Sequence, residues 1–512
     1  MTSFKRLPKF VGVIAAGGLL GGLGCSDPGG DDPARRPCVL LISIDTLRAD
    51  HLGCYGYRPL NYPEPVSPVI DELAAGGIRF ERCFAPRGQT APSLCSMMVG
   101  KYPSSHGVQE NAQPFQGSHV TLGEILGVAG YRTGAFLSAV PTHPQGSPHR
   151  GCDEVVVGMS EAAEELSVEQ WRWDEKVAQS CAQWWQEHAR DRRPLFAWVH
   201  FYDVHRPWAP PQDLHSMFQS GYEGPLLATS AQSRDGFLAV DRFINEETLK
   251  GRKLSEADRR YVLSLYDAGI RGVDQKVGML LETLRSTETL ESTIIILTSD
   301  HGEELGEHNF YYYHGNSVYD SVLRIPLIIR WPKLIPAGST GADFVQNVDL
   351  LPTLCDWLLL RTPGNVDGIS FAGAVGPAGR GPSKRRDHVF SEWQDVIFAV
   401  SDGRWKYIDN PLGVHPKKPP YFGSDNLGFT IRRRELYDLL IDPGETINVI
   451  EQDGEVADSL LRLVDQHRNR AGRVRVWSTT DDPELLEKLE KLGYVGPLEG
   501  RPDVLFGAEP PR

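Results

Sequence analysis

Positive charge is in short supply in this chain. Its 53 lysines and arginines stand against 67 aspartates and glutamates, a formal net charge of −14. That balance excludes nucleic acid as a partner, because binding the phosphate backbone needs a basic surface. It does not exclude an anionic substrate, since a metal ion can invert the field of one pocket. No apolar run reaches the ~20 residues of a transmembrane helix. None of the eight cysteines forms a Cys-x-x-Cys pair, which removes zinc ribbons and dithiol redox motifs. Setting Cys25 aside leaves an odd seven, from which a disulfide or two stays open without an assignable pairing. No internal repeat is present, so a solenoid is excluded.

The first residues read as an address and not as fold. Lys5, Arg6 and Lys9 precede a glycine-rich apolar stretch, Val11 to Leu23, and Gly24-Cys25-Ser26 follows as a processing site. A cysteine at that place resembles a bacterial lipobox, with Gly22 where leucine is usual. The expectation is a signal peptide over 1–25, a lipidated Cys25 and a solvated tether over 26–37. The protein would then be lipid-anchored in the bacterial cell envelope, periplasmic or on the outer surface, with plain secretion or an uncleaved anchor as alternatives.

Three short apolar runs read as buried parallel strands, and each leads into residues able to do chemistry. Val39–Ile44 leads into Asp45, Leu195–Val199 into His200, Asp203 and His205, and Thr293–Thr298 into Asp300-His301-Gly302. Helical segments between them predict an α/β sheet covered on both faces, with ligands bound beyond the carboxyl ends of its strands. Val262, Tyr266, Ile270, Val273, Val277, Leu281 and Leu284 recur at helical spacing, and Thr121 to Ala129 reads as a second helix stopped by Gly130. Pro207 to Asp241 reads as a polar surface excursion. Thr362 to Pro382, dense in Gly and Pro, marks a boundary. Beyond it, Val389–Trp393, Ile397–Val400 and Trp405–Ile408 predict antiparallel strands covered by a helix over Gly454 to Arg468, with a last short helix from Glu484 to Leu492. The domains so drawn are 38–375, a smaller 385–470 and a tail 471–512.

Asp45, Asp300 and His301 offer two carboxylates and an imidazole at neighbouring strand ends, with the Thr90 hydroxyl as a fourth donor. That set suits one divalent cation, Ca²⁺ or Mn²⁺ before Mg²⁺ or Zn²⁺. Pro92 is placed to open a helix through Leu94, Met97 and Met98, which puts Thr90 at an N-terminus that favours anions. His205 and His314 are candidates to protonate a leaving group or hold an ester oxygen. Glu303, Glu304, Glu307 and His308 read as a solvated acidic loop or as support for the ligands.

The frame Gly88-Gln89-Thr90-Ala91-Pro92-Ser93-Leu94, running on to Gly100-Lys101-Tyr102-Pro103, resembles the sulfatase signature. Ile44-Asp45-Thr46-Leu47-Arg48-Ala49-Asp50, Val199 to His205, Thr298-Ser299-Asp300-His301-Gly302-Glu303, Arg324 to Ile329, Asp349 to Thr353 and Glu435 to Glu445 are similar to further motifs of that family. The resemblance spans Cys38 to Val449. It implies the alkaline-phosphatase-like fold: a large mixed, mostly parallel sheet between helices, followed by a smaller α+β unit. It also implies a metal-dependent ester hydrolase with Thr90 in the nucleophile's place.

Departures from the family pattern cluster at the anion site. The residue that the family oxidises to formylglycine is Thr90, so no formylglycine is expected, and the signature arginine is Leu94. Thr46 stands where many members have a second aspartate. The stretch Phe136-Leu137-Ser138-Ala139-Val140 lacks the Lys-x-His pair, and His314 stands near the place of a later lysine. A sulfated formylglycine hydrate collapses from its second hydroxyl, which threonine lacks; a threonine phosphate can be attacked by water at phosphorus. The expectation is therefore hydrolysis of a phosphate mono- or diester in preference to a sulfate ester. The alternatives are a phospho-headgroup transferase and a binding-only protein for an anionic glycan or lipid.

Overall fold

The computed structural model describes residues 36–470 apart from 61, 112, 114–118, 139–146, 159–169, 207, 209, 219–220, 225, 227–254, 310, 316, 376–384, 395 and 414–431. Cys25 and its leader, the tether to residue 35, the tail and the expected helix Glu484 to Leu492 lie outside the described residues.

Eight strands form the main sheet: β1 Cys38–Ile44, β2 Ile78–Phe84, β3 Arg132–Leu137, β4 Glu154–Val157, β5 Leu195–Phe201, β6 Thr293–Ser299, β9 Arg324–Arg330 and β10 Ser339–Gln346. A ribbon of β7 Glu304–Leu305 and β8 Tyr311–Tyr313 lies between β6 and β9 in the chain. Their order is β10-β2-β9-β6-β1-β5-β3-β4, parallel except where β9 runs against β2 and β6. The three strands expected from the apolar runs are the central trio, with β1 hydrogen-bonded to β5 on one side and β6 on the other.

Every residue of β1 is buried, which explains why it reads as a continuous apolar run instead of alternating with polar residues. Leu40, Ile42 and Ile44 face one core beneath the helix Glu256–Ser286, and Val39 and Leu41 face the opposite core with Leu94, Met97 and Met98. That helix starts on a capping box of Ser255 and Asp258, and the helix Leu122–Val128 starts on another of Thr121 and Glu124. Gly130 follows the latter at φ 92°, a conformation that favours glycine.

After the boundary come β11 Val389–Trp393, β12 Ile397–Ser401, β13 Trp405–Asp409 and β14 Arg434–Asp438, an antiparallel sheet in chain order. The helix Gly454–Arg470 seals it with Ala457, Leu460 and Val464 against Phe398, Val400 and Tyr407.

Three expectations change. The described part of the Pro207 to Asp241 segment is no surface excursion: the helix Gln212–Phe218 buries Leu214 and Phe218, four residues apart, in the core below the long helix. The signature helix begins at Thr90, two residues before Pro92, with extended Gln89 as its cap residue. All seven cysteines from Cys38 to Cys355 are free, so the open disulfide question closes with none among the described residues.

Candidate active site

The register pairs Ser43 with both His200 and Thr298, so β1, β5 and β6 end level and release Asp45, His205 and Asp300-His301 at one edge. Thr46 turns the chain at φ 57°, a costly conformation for a β-branched residue, and its N–H reaches Asp300 Oδ1 at 3.3 Å. Ser299 ties the same two ends: its Oγ lies 2.6 Å from both Ile44 O and His301 O and accepts from Leu47 N at 3.1 Å. Ser93, one turn into the signature helix, donates to Asp300 O at 2.6 Å, and Asn347 Nδ2 donates to Ser93 Oγ at 3.1 Å. Gly302 follows with its N–H on Val322 O at 2.7 Å, where a Cβ would sit 2.4 Å from Ser321 O. The polar residues of the signature thus lock the helix that carries Thr90 onto the end of β6.

Thr90 Oγ1 lies 3.2 Å from His301 Nε2, which in turn lies 3.4 Å from Asp300 Oδ2 and 3.7 Å from Asp45 Oδ1. All four side chains are fully buried. His301 Nδ1 sits 2.9 Å from Gly302 O; a carbonyl only accepts, so Nδ1 carries the hydrogen and Nε2 keeps its lone pair for the site. Asp300 Oδ1 takes the N–H groups of Thr46 and His301, whereas Oδ2 accepts no hydrogen bond.

Two dry carboxylates side by side cost several kcal/mol each unless a cation offsets them. Donors held ~2.1 Å from one ion lie ~3.0–3.4 Å from their neighbours, close to the spacing of this row. The residues therefore fit a divalent metal. Ligand atoms of Asp45, Asp300 and a further residue, His200, also lie within 4.8 Å of one another. His200 extends from β5 with Nδ1 2.9 Å from Ser43 Oγ, and burial pushes its pKa down to about 4.

His205 and His314 close the other side. The ring of His314 stands 4.6 Å from that of His301 and 4.8 Å from that of His205. His205 Nδ1 faces Arg206 O and the Tyr202 hydroxyl, the latter at 2.9 Å and itself donating to Arg206 O. His314 Nδ1 lies 3.2 Å from Glu303 Oε2. Each partner is an acceptor, so both rings carry their hydrogen on Nδ1. Burial holds both imidazoles well below their ordinary pKa; for His205 the neighbouring His314 and Arg206 add to it, and for His314 His301 and Arg206 do.

The acidic run behind His301 is not the solvated loop that its composition suggests. Glu303 and Glu304 are fully buried: Glu303 holds His314, and Glu304 accepts from Ser317 Oγ at 2.8 Å. Glu307 pairs with Arg48 at 2.8 Å, and His308 stacks on Tyr319 at 3.7 Å. Arg48 comes from the turn after β1 and the other partners from beyond the β7–β8 ribbon, so the composition of the run itself does not reveal them. Leu94, at the signature arginine's place, lies in the apolar core and presents no charge to an anion. Of the altered stretch after β3, Ser138 is buried at the strand's end, and Ala139 and Val140 lie outside the described residues. The sequence put His200 among the residues able to do chemistry after its strand and gave it no part in the metal set. Its signal was a histidine inside an otherwise apolar run.

A model of the family described as Sulfatase matches residues 37–359. An N-acetylglucosamine-6-O-sulfatase of Bacteroides thetaiotaomicron is 24% identical over 493 residues, covering 83% of this chain and 84% of its own. A phosphonate monoester hydrolase of Agrobacterium radiobacter has a similar fold, with a TM-score of 0.65 at 21% identity, over 87% of this chain and 98% of that one. A structure solved with its substrate D-glucosamine-2-N,6-O-disulfate also scores 0.65 at 21% identity, over 88% and 99% of the two chains.

Proposed function

This chain belongs to the sulfatase family, and on that premise we propose that it hydrolyses a phosphate or phosphonate ester with Thr90 as nucleophile. The observation that carries the reading is the row Thr90–His301–Asp300, closed by Asp45, in which a hydroxyl stands 3.2 Å from an imidazole lone pair. Asp45, Thr90, Asp300 and His301 would hold the divalent ion. That ion would supply a lowered hydroxyl pKa and charge neutralisation on the ester.

The chain's own groups do the rest. Thr90 Oγ1, its proton given up to solvent, forms the new bond to phosphorus as the bond to the leaving alkoxide breaks; water then attacks phosphorus, and its proton returns to Thr90 Oγ1 as the threonine ester bond breaks. His205 and His314 have their hydrogens committed to Nδ1, so neither donates from Nε2 while neutral. An anionic ester bound beside them favours a second proton on Nε2, and that proton is the one the alkoxide takes. Threonine has no geminal hydroxyl from which to expel sulfate, and no arginine stands at position 94; both points favour phosphorus over sulfur. The leader pattern ending at Cys25 supports a substrate of the cell envelope, such as a glycan or lipid headgroup ester.

The test is a panel of aryl sulfate, phosphate monoester, phosphate diester and phosphonate monoester, run with the wild type and Thr90→Ala. The expected outcome is turnover of a phosphorus ester, lowered at least ~10³-fold in Thr90→Ala. Sulfate turnover that the mutation abolishes would overturn the choice of ester. Metal binding with failure on all substrates would point to a binding-only protein.

A further inference from the structure

We propose that His200 is an additional ligand of the metal, and that with it the site selects a borderline transition cation such as Mn²⁺ over Ca²⁺. The inference rests on the reading that Asp45 and Asp300 hold the ion. His200 lies on β5, hydrogen-bonded to β1, and it is fully buried. Its Nε2 has no hydrogen-bond partner, although a ring nitrogen of His200 and oxygens of Asp45 and Asp300 lie within 4.8 Å of one another. A buried imidazole nitrogen left bare beside two carboxylates is costly unless something binds it.

The surroundings of Nδ1 fix which nitrogen faces the ion. Trp198 Nε1 donates to Ser43 Oγ at 2.9 Å, and the Ser43 hydroxyl is directed at Val199 O at 3.5 Å. Ser43 Oγ then accepts from His200 Nδ1–H at 2.9 Å, and Nε2 keeps its lone pair. A histidine ligand whose other N–H is held by a neighbour is the usual arrangement at metal sites. The donor count follows. Thr46 stands where a second aspartate would add a hard oxygen, and its side-chain oxygen makes no hydrogen bond. With His200 the donors are two carboxylates, one hydroxyl and two imidazoles. Ca²⁺ takes ~6–8 oxygens, whereas imidazole nitrogen suits Mn²⁺, Fe²⁺ or Zn²⁺.

Titration calorimetry of the metal-free full chain with Mn²⁺ and with Ca²⁺, on wild type and His200→Ala, tests this. The wild type should bind Mn²⁺ at least ~10-fold more tightly than Ca²⁺, and the substitution should weaken Mn²⁺ by about 10- to 100-fold while leaving Ca²⁺ nearly unchanged. Electron spin-echo spectroscopy of the bound Mn²⁺ gives a readout that needs no variant: coupling to two imidazole nitrogens in the wild type. His200→Gln should remove one of them. A single nitrogen in the wild type, or Ca²⁺ binding as tightly as Mn²⁺, overturns the proposal. Binding of neither ion overturns it together with the metal reading. A silent His200 with tight Mn²⁺ overturns the proposal alone.

Discussion

Glu303 shows how much of this site rests on single side chains that touch no substrate. Its buried carboxylate lies 3.2 Å from His314 Nδ1, and Arg48 Nη1 donates to its backbone oxygen at 3.0 Å. The first contact fixes the hydrogen of His314. The second ties the loop after β6 to the turn after β1. Glu303→Ala is expected to release the imidazole and lower kcat by about 10- to 100-fold, as loss of an orienting partner does at comparable sites. Glu303→Gln keeps an acceptor for Nδ1–H and should recover most of the loss. Steady-state kinetics with the melting temperature as control checks this; a drop in KM affinity alone, or no rescue by Gln, would refute the positioning role.

Between elements, Lys406 of β13 makes a buried double tie. Its ammonium is buried and lies 2.6 Å from both Asp320, just before β9, and Glu445, after β14. Burial alone would lower the lysine's pKa; the two carboxylates overcome that and raise it. Burial pushes Glu445 up to about 7, with Lys406 pulling the other way. Lys406→Met leaves two carboxylates facing each other and should cost about 3–5 kcal/mol in denaturant melts. The sign with pH follows from Glu445. A carboxyl raised above its unfolded value adds stability below that value and loses it as pH rises through about 7. Removing Lys406 raises it further, so the deficit should be larger near about pH 8 than near about pH 5. A deficit independent of pH would contradict the account.

Elements were the most legible level of this chain. β1, β5 and β6 are each wholly buried, so their apolar runs were continuous and their polar exits stood out. The helix Glu256–Ser286 announced itself by spacing. What escaped was long-range pairing. Glu303 and Glu304 look solvated until His314 and Ser317 are seen against them. Leu214 and Phe218 sit in a polar stretch whose burial depends on a helix formed by residues some fifty positions on. His200 stood among the polar exits, but one histidine in an apolar strand carries no sign of where its ring nitrogen points.

At the scale of the whole molecule, the fold brings residues from positions 45, 90, 200 and 300 to one dry edge in a chain of formal net charge −14. On the proposed function, an anionic ester would be attracted only where a bound cation reverses the field, which would confine chemistry to that edge. The covalent role of Thr90 is the centre of this account. It is tested most directly by rapid acid quench of the full chain turning over an aryl phosphonate monoester, followed by peptide mass mapping. The account predicts a burst of phenol and the transferred phosphonyl group on the peptide carrying Thr90. An unmodified Thr90 at every time point, with phenol released alike by wild type and Thr90→Ala, would contradict it.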